Sequence, residues 1–135
     1  MEVADHVCAA DLRESDSRPH PLDVAPLLGV WQATDRDNPG VVRLEIGRRG
    51  TGLVVRCFGA DEPEPLDWEE ATATGFGSSV GATEAMAFTA RYDFGFLDVT
   101  LAAYAKQGIL VLDTFTVFKD GSGRADYFTR EFFHR

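Results

Sequence analysis

The sequence predicts an all-β protein: a single eight-stranded antiparallel up-and-down β-barrel beginning near Gly29. Three observations lead there. Apolar and polar residues alternate with a period of two in short runs, the signature of half-buried strands. Gly-, Pro-, Asn- and Asp-rich segments separate these runs at short intervals. The later connections are too short for anything but antiparallel neighbours, so strands adjacent in sequence are adjacent in the sheet. A sheet of eight such strands removes its edges most simply by closing, and a barrel of that size encloses a small cavity.

The elements follow in order. Leu22–Leu28 contains Pro26 and suits one turn of helix feeding the first strand. Strand one is Val30–Thr34, ended by Asp35-Arg36-Asp37-Asn38-Pro39-Gly40. Strand two places Val42, Leu44 and Ile46 on one face and Arg43 and Glu45 on the other, and Arg48–Gly52 forms a hairpin turn. Strand three runs Leu53–Gly59, before a loop whose Pro63 and Pro65 exclude a central strand. Strand four covers Leu66–Thr74 and is followed by the glycine-rich Gly75–Gly81. Strands five to eight are Thr83–Tyr92, Phe94–Ala105, Ile109–Phe118 and Ala125–His134, with turns at Asp93, Lys106-Gln107 and Asp120–Arg124.

Residues 1–21 form a separate arm, and 22–135 the barrel domain. Val3, Val7 and Ala10 have a loose helical spacing, but Pro19 and Pro21 end any helix. The arm is either a flexible tail or a lid over the barrel mouth.

Composition removes several function classes. With 135 residues the chain buries a core without staples, and its net charge of −9 argues against nucleic acid and anionic membranes as partners. No apolar run approaches the roughly 18 residues of a membrane span, and the N-terminus lacks a secretory pattern, so a cytoplasmic location is expected. Cys8 and Cys57 fit no disulfide or metal spacing, and His6, His20 and His134 are scattered. A reduced, buried Cys57 and no metal or cofactor are expected. Asp120-Gly121-Ser122-Gly123 lacks the glutamate of a calcium loop and reads as a turn.

The Leu28-Gly29-Val30-Trp31 opening before an up-and-down meander resembles the calycin group of lipocalins, fatty-acid-binding proteins and avidins. The resemblance implies that Trp31 plugs the closed end of the barrel and that a basic residue of the last strand, Arg130 or Arg135, packs across it. The layout is also similar to small barrel enzymes of bacterial secondary metabolism, such as spirotetronate cyclases and allene-oxide-cyclase-like proteins, which fold a reactive substrate into one conformation.

Candidate site residues come from the last three strands and from strand four. A Lys106-Gln107 turn sets Thr100 opposite Asp113 and Tyr104 beside Ile109. One face then holds Phe94, Phe96, Asp98, Thr100, Tyr104, Asp113 and Phe115, and the other Leu97, Val99, Leu101, Leu110 and Leu112. Either the mixed face lines a ligand cavity while the aliphatic face packs on another subunit, or the aliphatic face is the core. The first is preferred, because a cavity uses a few polar groups to orient its guest. Strand eight places Tyr127, Thr129, Glu131 and Phe133 on one face. A five-residue loop sets Asp113 opposite Glu131 as an acid–base pair; a four-residue loop sets Asp113 beside Phe132 and diagonal to Arg130, a structural ion pair. Trp68 is a rim aromatic or a packing residue, and Glu70 shares its face by simple alternation. Arg43 and Arg56 are expected to face solvent.

No nucleophile elbow, P-loop or dinucleotide fingerprint occurs. The expectation is a cofactor-independent cyclase or isomerase acting on a small hydrophobic or aromatic molecule, and a homodimer. Asp113, Glu131 and Tyr104 would be catalytic; Trp68, Glu70, Phe96, Asp98, Phe115 and Tyr127 would bind the ligand. The alternatives are a lipocalin-like carrier without turnover, or a structural module whose interior is filled by its own side chains.

Overall fold

The computed structural model describes residues 22–135; the arm, with Cys8, His6 and His20, lies outside them. Eight antiparallel strands form one closed barrel in sequence order: β1 (Gly29–Ala33), β2 (Val41–Arg49), β3 (Gly52–Gly59), β4 (Leu66–Phe76), β5 (Ala87–Asp93), β6 (Leu97–Lys106), β7 (Ile109–Phe118) and β8 (Tyr127–His134). The predicted architecture is the observed one. No helix among the described residues is long and apolar enough to cross a membrane.

The closed end is built from the Gly-x-Trp opening. A 3-10 turn at Ala25–Leu27, started by Pro26, carries fully buried Leu27 under the barrel. Trp31 is fully buried and its indole donates to the Leu27 carbonyl at 3.0 Å. Arg135 lies over the Trp31 ring at 4.2 Å and donates to the Leu28 carbonyl at 2.7 Å. Of the two arginines expected to cover the tryptophan, Arg135 does so, while Arg130 turns outward. Gly29 has φ 127°, a conformation open to glycine, and a Cβ there would meet the Arg135 stem at 3.2 Å. The glycine is therefore required by the same contact that seats the arginine. This arrangement is consistent with a calycin-like fold.

The closing seam is short. Only Gln32↔His134 and Ala33↔Phe133 pair in the β1–β8 ladder, extended by the Thr34 amide on the Phe132 carbonyl at 2.8 Å. Arg135 clamps it at the closed end, and a hydrogen bond from the Asn38 amide to Glu131 clamps it at the open end.

The core corrects the face assignment. Val99, Leu101, Ala103, Leu110 and Leu112 are buried inside with Leu44, Val55, Phe88 and Phe133. The aliphatic face is the barrel interior, and the mixed face of β6 and β7 points outward. The physical reason is that an eight-stranded barrel must fill its lower half with side chains, and aliphatic ones fill it without unpaired polar atoms. The argument for a subunit contact through the aliphatic face falls with that assignment.

Registers also differ. The β6–β7 turn is Gln107-Gly108, both at positive φ, so Lys106 pairs with Ile109, Tyr104 with Val111 and Thr100 with Phe115. β5 starts at Ala87 rather than Thr83, and the β5–β6 turn is the wider Phe94-Gly95-Phe96. On β2, a bulge between Val41 and Arg43 turns Val41 inward in place of Val42.

Candidate functional site at the open end

Along the inner face of β7 the residues run Leu110, Leu112, Thr114, Thr116, and along β8 they run Phe133, Glu131, Thr129, Tyr127. β8 turns polar at Glu131, opposite Leu112, and β7 turns polar one inward-facing position higher, at Thr114 opposite Thr129. Below this step the barrel is packed; above it lies a cavity of about 860 Å³ opening between the β1–β2, β3–β4, β5–β6 and β7–β8 connections. That volume is within the usual range for small-molecule sites.

Two walls of different character face each other. One is aromatic. Trp68 of β4 stands edge-on to Tyr92 and Phe94 at 5.5 and 5.6 Å, and those two rings stack at 5.5 Å. A bulge puts Trp68 there. Between Phe58↔Asp67 and Arg56↔Glu70 the β3–β4 register slips, and Glu69 takes φ 68°. Trp68 thereby joins Ala71 and Ala73 on the inner side, while Glu70 faces out and pairs with Arg49 at 2.7 Å. The expected shared face of Trp68 and Glu70 is undone by this one extra residue. Tyr92 satisfies the disturbed backbone: its hydroxyl donates to the Glu69 carbonyl at 2.7 Å and accepts from the Cys57 amide at 3.2 Å. Gly59 gives Trp68 room, since a Cβ there would lie 2.9 Å from the indole nitrogen.

The other wall is polar. β8 is halfway around the barrel from β4, and Glu131 projects from it into the cavity. Its carboxylate accepts from the Asn38 side-chain amide, which also donates to the Val41 carbonyl at 2.8 Å. Gly40 leaves space for the carboxylate: a Cβ there would be 2.9 Å from it. Burial pushes the Glu131 carboxyl above its ordinary value, against hydrogen bonds from Asn38, the Val41 backbone and Thr129 that pull the other way. Thr114, 6% exposed, presents a hydroxyl with no hydrogen-bond partner among the described residues.

Of the predicted site residues, Trp68, Phe96, Tyr127 and Glu131 line the cavity. Tyr104, Asp98, Asp113, Phe115 and Glu70 lie on the outer surface. Asp113 stands directly opposite Arg130, neither of the two expected registers, and receives two hydrogen bonds from its guanidinium at 2.7 and 2.9 Å. That contact holds the Asp113 carboxyl below its ordinary value. Asp98 is bridged by Arg91 and Lys119 at 2.7 and 3.0 Å. Phe115 packs on Phe128 at 5.2 Å, and both remain about half exposed. Arg56 faces out and pairs with Asp67, and Arg43 stacks over Phe58 at 3.9 Å. Sequence reasoning missed Asn38, Thr114 and Thr116. The signal for the threonines was the break from leucine to threonine along the aliphatic face of β7. Comparison with family models, curated proteins and solved structures returned no match to this chain.

Proposed function

We propose that the protein binds a flat or polycyclic, mainly apolar small molecule in the open end of the barrel, and that Glu131 exchanges a proton with it. The observation that carries this reading is the position of the Glu131 carboxyl: a half-buried acid in a mainly apolar cavity, opposite an aromatic wall, with its proton affinity raised. A carboxyl whose proton affinity is raised by its surroundings suits general acid–base work. One carboxyl suffices for an isomerisation or ring closure in which a proton leaves one carbon and returns to another on the same side. Trp68 and Phe94 would hold the substrate against that carboxyl, and positioning would supply much of the barrier reduction. The chemistry is that of a cofactor-independent cyclase or isomerase of secondary metabolism.

A second reading, a carrier without turnover, gains from the placement of Asp113 and Tyr104 outside the cavity, which leaves Glu131 without the two catalytic companions expected from the sequence. Native mass spectrometry of protein purified from its own source separates the two. A co-purifying apolar compound is expected. Incubation of its unrearranged precursor, at saturating concentration, with wild type and Glu131→Gln then decides: an enzyme loses conversion in the saturated variant, and a carrier converts nothing in either form.

A further inference from the structure

We infer that the guest of this cavity is an organic cation, an amine-bearing aromatic or polycyclic molecule whose ammonium seats between the Glu131 carboxylate and the aromatic wall. The inference rests on the cavity-binding reading above and names the chemical class of its ligand.

Four observations carry it. First, Glu131 is an acid inside an apolar cavity with no cationic side chain within 4 Å among the described residues; the adjacent Arg130 is turned to the outer face and occupied by Asp113. Half-buried and hydrogen-bonded only by neutral groups, the carboxylate has an unfilled place for a cation, since charges withdrawn from water are ordinarily paired. Second, the Thr114 hydroxyl, more than nine-tenths buried on the same wall, has no partner and is free to accept a hydrogen bond from an ammonium. Third, the facing wall presents Trp68 and Phe94 at 5.6 Å, with buried Tyr92 stacked behind Phe94, and aromatic rings attract cations through their faces. Fourth, the molecular charge is concentrated at the mouth. Asp35, Asp37, Asp61, Glu62, Glu64, Asp120 and Asp126 stand on the connections at the open end against Arg36, Lys119 and Arg124, of which Arg124 pairs with Asp120, while Arg48, Arg49, Lys106 and Arg135 gather at the closed end. Such an arrangement raises the local concentration of cations at the entrance and repels anions.

The test uses a matched pair of probes, the cation aminoacridine and its neutral parent acridine, in fluorescence titrations at neutral pH and low ionic strength. Quenching of Trp68, absent in Trp68→Phe, reports that a probe is in the cavity. The expected result is that aminoacridine binds wild type at least tenfold tighter than acridine, and that Glu131→Gln removes the difference between the two probes. Equal binding of the two probes to wild type overturns the inference and leaves the cavity reading standing; this arm needs no variant to fold. A preference that persists in a folded Glu131→Gln also overturns it, because the attraction then comes from the rim. If neither probe reaches Trp68, the cavity reading itself fails and the inference with it.

Discussion

Glu131 is a residue whose placement opposes stability. An acid with a folded-state pKa above its unfolded value binds protons more tightly when folded, so stability falls as pH rises through the window between the two values, and the cost is full above it. Glu131→Gln keeps the shape and the Asn38 hydrogen bond while removing the charge. It is expected to raise the melting temperature at neutral pH by a few degrees, about 0.5–1 kcal/mol, with the gain vanishing near pH 4; thermal melts across pH check this. Arg135 has the opposite sense. Arg135→Ala loses the stack on Trp31 and the hydrogen bond to Leu28, and should cost about 1–2 kcal/mol in a denaturant titration. The role of Arg135 was legible at the sequence level because Gly29 and Trp31 carry a resemblance. The geometry of Glu131 was not: its face was readable from alternation, but its neighbours Asn38 and Gly40 come from a loop more than 90 residues away in the chain.

Among the elements, β4 shows where alternation fails and why. A period of two assigns Trp68 to the face of Glu70, and a single bulge reverses it. Bulges leave almost no mark in composition, and the residue that takes positive φ here is Glu69 rather than a glycine. The compensation lies on another strand, in the Tyr92 hydroxyl that bonds the Glu69 carbonyl and the Cys57 amide. Tyr92→Phe should therefore cost about 1–3 kcal/mol, the usual penalty for stranding buried polar groups, and should alter the Trp68 fluorescence. An unchanged stability in urea titrations would mean that the bulge holds without the hydroxyl. The β6–β7 hairpin failed more mildly: placing the turn one residue early on the chain kept both faces intact and shifted only the pairs. The β7–β8 register was left open between two loop lengths, and the observed Asp113↔Arg130 pairing matches neither.

At the scale of the whole molecule, closure and topology were readable because each strand pairs with the next in sequence, whereas the inside and outside of the barrel were not, since both faces of β6 and β7 are apolar enough to be buried. Charge adds a global term. The net charge of −9 favours expansion at neutral pH and is relieved toward the isoelectric point near 4.7. Asp67, Asp93, Asp98 and Asp113 are held low by hydrogen bonds from Arg56, Lys119, Lys119 and Arg130, so their contributions are complete above about pH 4 and disappear as pH falls through their folded-state values. These pairs are largely exposed and individually small. Together with the opposite slope of Glu131, they set the stability maximum on the mildly acidic side: melting at about pH 5 should exceed that at about pH 8, and added salt should narrow the gap. Cys57 offers a way to watch the barrel come apart. Its thiol is fully buried on β3, and burial pushes its pKa up to about 12. A thiol reagent therefore waits for the strands to part, and in Cys8→Ser protein the labelling rate becomes a stopwatch for opening. Any molecule lodged above the core slows that stopwatch in proportion to its occupancy, so a library of compounds can be ranked by delay alone, before a single product has been identified.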